Sequence, residues 1–112
     1  MVVIRKSYPF GSRTRSQVLL ALRLLEESYA RELARLLGVN LSGVQRGLMS
    51  LERDALISGR PIGRTRLYRL NPRAFARREL ERYLDRLLDA EGDLRSRVST
   101  LRRRPRKSGK PL

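Results

Sequence analysis

The chain has 112 residues, which suits a single domain with or without tails, and 26 Lys and Arg against 11 Asp and Glu give a formal net charge of +15. A charge this large exceeds what solubility requires and predicts a polyanionic partner. Cys and His are absent, which excludes disulfides, thiol chemistry, the commonest general base and the commonest metal ligand.

Residues 1–11 precede the first helical pattern and are predicted to form an N-terminal arm. Their apolar stretch is too short for a signal peptide. No run in the chain reaches the roughly 18 apolar residues of a membrane span. These features predict no membrane partner and a cytoplasmic, nucleoid-associated protein.

Two helices are predicted between residues 12 and 38. The first has Ser12 as its N-cap and carries apolar residues at helical spacing as far as about residue 27. The second, shorter helix begins near Ala30. It ends at Gly38, which occupies the position of a glycine that terminates a helix.

The third helix, residues 42–56, is predicted to open with a capping box in which Ser42 is the N-cap and Gln45 follows three residues later. It contains Gly43 and Gly47, and each glycine lowers helix propensity by about 1 kcal/mol relative to alanine. We interpret them as keeping the outer face low, so that the backbone can approach a large ligand. The alternative is close packing against another helix, which suits Gly47 better than Gly43.

Residues 57–70 are predicted to form a two-stranded hairpin. The turn is expected at residues 61–64, around Gly63, and "TRLYRL" after it alternates imperfectly between polar and apolar residues. Asn71 and Pro72 are predicted to start the last helical segment, as its N-cap and first helical residue.

The last helical segment, residues 73–101, carries apolar residues at alternating steps of four and three, with a polar interruption at Glu91 beside Gly92. It is predicted to be either one dented helix or two helices that fold back. So long a seam predicts a coiled-coil-like homodimer interface, although its first half could instead pack on the chain's own first helix. The predicted interface residues are Leu80, Tyr83, Leu84, Leu87, Leu94, Val98 and Leu101.

Positive charge is unevenly distributed along the chain. The first 25 residues and the predicted hairpin contain cations and no acid, whereas acids in the last helical segment largely balance its arginines. Residues 102–112 are rich in cations and lack periodicity, which predicts a disordered basic tail. The surface that binds a polyanion and the surface for self-association are therefore predicted to be separate.

The second and third helices together suit the major groove of double-stranded DNA. That groove admits one α-helix, which needs a second helix to brace it from behind. The geometry of base edges pairs arginine with guanine and glutamine with adenine, although a plain solvated face is the simpler alternative. The outward residues predicted to contact DNA are Ser42, Gly43, Gln45, Arg46, Met49, Ser50 and Arg53.

Residues on either side of this helix are predicted to position the DNA without specifying its sequence. Those of the hairpin would reach the DNA backbone or the minor groove, and those of the first helix would reach the backbone. They are Arg60, Arg64, Thr65 and Arg66 in the hairpin, and Arg13 and Arg15 in the first helix.

A resemblance to a known family rests on three stretches, "FGSRTRSQVLLAL", "YARELARLLGVNLSGVQRGLMSLERDALI" and "GRTRLYRLNP". Together they resemble the winged helix-turn-helix domain of small prokaryotic transcription regulators of the ArsR-like kind, over about residues 10–75. The resemblance implies a recognition helix at residues 42–56, a wing at residues 60–69 and a homodimer built through terminal helices. Metal-sensing members of that family use Cys or His ligands, which this chain lacks, so no metal and no other cofactor is expected.

The predicted fold is mainly α with a small β-hairpin wing: an arm at 1–11, a winged helix-turn-helix domain at 12–72, a dimerisation segment at 73–101 and a tail at 102–112. The predicted function is that of a homodimeric, sequence-specific regulator of transcription that binds double-stranded DNA. The alternative is a chromatin-like protein that coats DNA through charge; RNA binding is disfavoured because the few aromatics form no stacking platform. Enzymatic activity is not expected, since no phosphate-binding loop or nucleophile elbow is present.

Overall fold

The computed structural model describes residues 10–90 and 92–103, and the side chains of these as far as residue 101. Within those residues the elements are α1 (Arg13–Leu25), β1 (Glu27–Tyr29), α2 (Ala30–Leu37), α3 (Leu41–Arg53), β2 (Ile57–Ile62), β3 (Thr65–Leu70), α4 (Arg77–Asp89) and α5 (Gly92–Arg103). The predicted fold class, mainly α with a β-hairpin wing, is confirmed. Residues 104–112 of the predicted basic tail and nearly all of the N-terminal arm lie outside the described residues, whereas residues 102 and 103, predicted as part of the tail, end α5.

The ends of α1 and α2 follow from local sequence. Ser12 caps α1 as predicted, because its hydroxyl accepts a hydrogen bond from the Arg15 backbone N–H at 3.1 Å. Gly38 ends α2 in the left-handed conformation, at φ +68°, which glycine adopts without steric strain.

The start of α3 differs from the prediction. Its N-cap is Asn40, whose Oδ1 accepts a hydrogen bond from the Gly43 backbone N–H at 2.7 Å. Ser42 is already inside the helix, so the predicted capping box is wrong. Asparagine is as good an N-cap as serine, and the earlier of the two residues caps the helix here.

The sheet has three antiparallel strands in the order β1-β3-β2. β2 and β3 form the predicted hairpin, with Ile57 opposite Leu70 and Ile62 opposite Thr65. The connection is therefore only two residues long, and Pro61 lies within β2 instead of in the turn. β1 was not predicted, because its three residues are too few to show an alternating pattern.

The segment after β3 is a turn and not the start of a helix. Asn71 Oδ1 accepts from the Arg73 backbone N–H at 3.0 Å, and the Asn71 side-chain amide donates to the Ala55 carbonyl at 3.0 Å. Asn71 thus anchors this turn to the end of the α3 region, and α4 begins only at Arg77. The predicted helix start at Asn71 and Pro72 is wrong.

The core surrounds α1, where residues 18–22 are all fully buried. Helices α2, α3, α4 and α5 each pack on it, as do β1 and β3. The leucines and valines that these other helices bury completely are Leu33, Leu37, Val44, Leu48, Leu51, Leu84, Leu88 and Leu94.

The last helical segment is two helices, α4 and α5, and both pack on α1. Leu84 and Leu94 are fully buried and Val98 is only 7% exposed. The prediction that these three side chains face a partner is wrong, because the chain's own core covers them. Leu80, Leu87 and Leu101 are partly buried against the same core, and Tyr83 is 45% exposed.

A bidentate ion pair joins α1 to α4. Arg23 Nε donates to Asp85 Oδ1 at 2.8 Å, and Arg23 Nη2 donates to Asp85 Oδ2 at 3.0 Å. The hydrogen bond from Arg23 lowers the pKa of Asp85 from its ordinary value, although partial burial opposes the shift. Because the pKa of Asp85 is lowered in the folded state, the pair stabilises the fold above the ordinary pKa. That stabilisation is lost as the pH falls through the folded-state value.

Replacing Asp85 by asparagine is expected to lower the free energy of unfolding by about 1 kcal/mol at pH 7, the upper end for a part-exposed ion pair. The difference from the unchanged protein should begin to shrink below about pH 4, where Asp85 of the unfolded chain takes up a proton, and should disappear once the pH falls below the lowered folded-state pKa of Asp85. Urea unfolding between pH 7 and pH 2 measures both effects. Asp89→Asn is the control, since Asp89 is more exposed and lies 3.4 Å from its partner, Arg95; equal losses in the two variants would contradict the assignment.

Candidate nucleic-acid interface

Helix α3 has one fully buried face and one exposed face. Val44, Leu48 and Leu51 are buried against α1 and α2. On the opposite side the exposed residues are Ser42, Gln45, Arg46, Met49 and Arg53. The helix is therefore held from behind along its length and presents a mainly polar surface outward, as a groove-binding helix requires.

The two glycines of α3 do not form part of this outward surface in the way predicted. Gly47 is buried, and a Cβ there would lie 3.3 Å from Thr14 Cγ2 of α1. Its role is close helix–helix packing, so our low-relief interpretation is wrong for Gly47. Gly43 is partly buried, and a Cβ there would lie 3.0 Å from Asn40 Oδ1, which makes glycine the residue that suits the cap.

Arg15 is occupied within the chain. Its side chain is only 17% exposed, and its guanidinium donates to the Phe10 carbonyl, to Ser50 Oγ and, at 2.8 Å, to Asp54 Oδ2. The guanidinium thus ties the start of α1 to the end of α3. Arg15 and Ser50 thus contact each other within the chain, and the DNA contacts predicted for them stay predictions. Arg13, the other predicted backbone contact, is partly buried.

The wing, β2 and β3, is tied to α3 by Arg66. Its Nη2 donates to Glu52 Oε2 at 2.7 Å and to the Gly59 carbonyl at 2.8 Å. The hydrogen bond to Glu52 raises the pKa of Arg66 above its ordinary value. Gly59 makes room for this arrangement, because a Cβ there would lie 2.8 Å from Tyr68 Cε1 and 3.1 Å from Arg66 Nε.

The remaining predicted wing residues are exposed to solvent. Arg64 follows Gly63 in the two-residue turn and is exposed, as is Thr65 beside it. Arg60 is exposed and lies 3.6 Å from Glu27 of β1. Of the three arginines predicted to contact DNA from the wing, Arg60 and Arg64 are therefore exposed, whereas Arg66 is directed at α3.

Our reading of the sequence missed Glu52 and Asp54, the acids at the end of α3. Each is paired with an arginine from another element, Glu52 with Arg66 and Asp54 with Arg15. The sequence signal that could have revealed these two acids is their isolated position within a basic stretch. Among residues 10–90 and 92–103, Arg46, Arg53 and Arg64 have no such acidic partner.

In the part of the chain that the structure describes, no helix has the length and apolar character needed to cross a bilayer. The same residues contain no group of acidic side chains arranged to hold a metal ion.

Several solved structures of transcription regulators have a similar arrangement of helices and wing. The transcriptional regulator HlyU from Vibrio vulnificus CMCP6 aligns with a TM-score of 0.60 and 25% identity, over 72% of this chain and 78% of that one. Reduced HlyU from Vibrio cholerae N16961 gives 0.56 and 26%, over 70% and 76%. A cysteine-to-serine mutant of MarR from E. coli, complexed with operator DNA, gives 0.57 and 20%, over 84% and 73%. No protein-family model and no curated protein matches the chain significantly.

The chain therefore has the winged-helix fold of transcription regulators. These structural neighbours are regulators, and HlyU from Vibrio vulnificus, a transcriptional regulator with 25% identity, supports a regulator of transcription. They include HlyU, MarR and the adhesin competence repressor AdcR from Streptococcus pyogenes, so they do not single out the ArsR-like subfamily.

Replacing Arg15 by methionine is expected to destabilise the fold by about 2 kcal/mol, the scale for losing hydrogen bonds made by a charged group. Thermal and urea unfolding measure the loss. The matched control is Arg53→Met, which removes the same charge from an exposed position on α3. An Arg15 variant as stable as this control would contradict the internal role of Arg15.

Proposed function

We propose that this protein is a transcription regulator that binds specific sequences in double-stranded DNA. In this proposal α3 lies in the major groove, and the wing contacts the backbone or the minor groove beside it. The observation that carries the proposal is the exposed, polar outer face of α3, which is braced from behind by a fully buried apolar face. A helix held in this way can enter a groove without losing its own core contacts.

The charges around this face support a polyanionic ligand. Arg46 and Arg53 on α3 and Arg64 at the wing turn are exposed and lack acidic partners within the described residues. The two acids at the end of α3 are already neutralised by arginines. Phosphates can therefore approach α3 without meeting an uncompensated negative charge at its end.

Base reading is assigned to the residues that point away from the core. Arg46 donates to guanine O6 and N7, and Gln45 pairs with adenine N6 and N7. Ser42, Met49 and Arg53 complete the face. Arg60, Arg64, Thr65 and Arg13 contact the backbone and set the register without reading sequence.

The proposal includes a homodimer in which two copies of α3 lie about 34 Å apart and read a near-palindrome. Exposed aromatics on the α4 side of the molecule support it. Tyr83 is 45% exposed and Phe75, just before α4, is 97% exposed. Since Leu84, Leu94 and Val98 belong to the core, the interface proposed now is centred on Tyr83, with the edges of Leu80, Leu87 and Leu101 around it.

Selection of binding sites from random duplex DNA at physiological salt tests the proposal. A near-palindrome with two half-sites about one helical turn apart is expected. Recovery of DNA without a preferred sequence, with a steep dependence of affinity on salt, would instead identify the charge-driven coating protein that the net charge of +15 allows.

Arg46→Ala is expected to weaken binding to the selected site by about 1–3 kcal/mol and to relax the base preference at one position per half-site. Arg64→Ala should weaken binding to selected and random DNA alike, because a backbone contact is the same on every sequence. Titrations with both DNAs measure the two effects.

The control for these two variants is Arg82→Ala, which removes one exposed positive charge from α4, a helix without contacts to α3 in the described residues. It should leave the ratio of specific to random affinity unchanged. An Arg46 variant that loses affinity equally for both DNAs would contradict its assignment to base reading.

Tyr83→Glu is expected to convert a dimer to a monomer, because it places a charge in the centre of the proposed interface. Sedimentation velocity measures the mass, and circular dichroism verifies the fold. Tyr83→Phe, which keeps the ring, should remain a dimer. A chain that is monomeric before any substitution, with or without DNA, would contradict the dimer.

A further inference from the structure

Met49 lies at the centre of the exposed face of α3. At 3.6 residues per turn, Ser42 and Arg53 fall on the same side of the helix as Met49, opposite the buried residues. Its side chain is 61% exposed. A long apolar side chain thus occupies the middle of an otherwise polar surface.

Exposure alone does not give Met49 a function, since single apolar residues are common on protein surfaces. Its surroundings are more informative. The other exposed large apolar side chains in the described residues lie on the wing, in the loop before α4 and on α4 itself, so Met49 has no apolar neighbour on α3 with which to form a protein-docking patch. Arg46 and Arg53 beside it are exposed cations without acidic partners within the described residues. A ligand that suits this face is anionic and offers one small apolar group.

Double-stranded DNA presents such a group at the base edges of its major groove. Of the four standard bases, only thymine carries a methyl group there, at C5, among hydrogen-bond donors and acceptors. If α3 enters the groove, the Met49 side chain is buried from water at the point where the helix faces the bases most directly. The thymine methyl is then the apolar surface against which its burial is favourable.

We propose that Met49 determines specificity by contacting the C5-methyl group of a thymine in each half-site. This inference rests on the function proposed for α3. A helical side chain leans toward the turn that precedes it, so Met49 extends toward Gln45 and Arg46. The thymine therefore lies beside the bases that these two residues contact. The flexible, polarisable thioether can adjust to a methyl group within the groove.

Replacing single thymines by uracil in the selected duplex tests the contact, because uracil lacks only the methyl group. At one thymine position per half-site, the unchanged protein should bind the uracil duplex about fourfold more weakly, the effect of burying one methyl group. Met49→Gln, which keeps the side-chain length, should bind thymine and uracil duplexes equally at that position. Met49→Leu, which remains apolar, should keep the preference for thymine.

Ile62→Gln provides the matched control, since Ile62 is the exposed apolar residue of the wing, at 41% exposure. This variant should still bind the uracil duplex about fourfold more weakly. Circular dichroism of every variant verifies the fold.

The outcomes separate this inference from the proposed function. A selection without any preferred sequence overturns both. A preferred sequence in which no uracil replacement weakens binding, or which contains no thymine in its half-sites, overturns the contact and leaves the regulator standing. A uracil effect that persists unchanged in Met49→Gln assigns the methyl contact to another residue and also overturns the inference.

Discussion

The burial of α1 on nearly every side is the constraint on which the rest of the structure depends. Residues 18–22 are fully buried in succession, so no face of the helix in this region is left for solvent. α3 and α4 pack against different sides of it, and β1 and β3 contact it as well. The helix proposed to face DNA and the helices proposed for self-association therefore share one rigid support, and neither can shift without disturbing the core.

Arginine contacts then fix the orientation that packing alone leaves adjustable. Arg15 holds the end of α3 to α1, and Arg66 holds the wing to the same end of α3. Both partners, Asp54 and Glu52, are acids that would repel DNA if they were unpaired. The two contacts thus neutralise the acids at the end of α3. The contact of Arg66 with Glu52 also sets the position of the wing relative to α3. Most of the wing's remaining charge stays available for an external ligand.

The sequence allowed the mainly α fold with its hairpin, the cap at Ser12 and the helix end at Gly38 to be predicted, because each depends on neighbouring residues. The prediction failed where a choice depends on tertiary contacts. A heptad pattern specifies an apolar face but not what covers it, and here the chain's own core covers Leu84 and Leu94. Gly47 likewise looks the same in sequence whether it faces Thr14 or solvent. Long-range contacts such as Arg15 with Asp54 leave no local pattern at all.

Net charge is consequently a poor guide to which arginines bind a ligand. All four arginines of the hairpin region are equivalent in sequence, yet Arg66 is held by Glu52, whereas Arg64 lies free of acids at the turn. On α3, Arg46 and Arg53 likewise have no acidic partner among residues 10–90 and 92–103. The acids at the end of α3 are paired with arginines from other elements. Around the outer face of α3, internal pairing leaves Arg46, Arg53 and Arg64 without an acidic partner in the described residues. Discrimination between DNA sequences must then come from side chains that contact base edges, since the attraction of cations to phosphate is the same for every sequence.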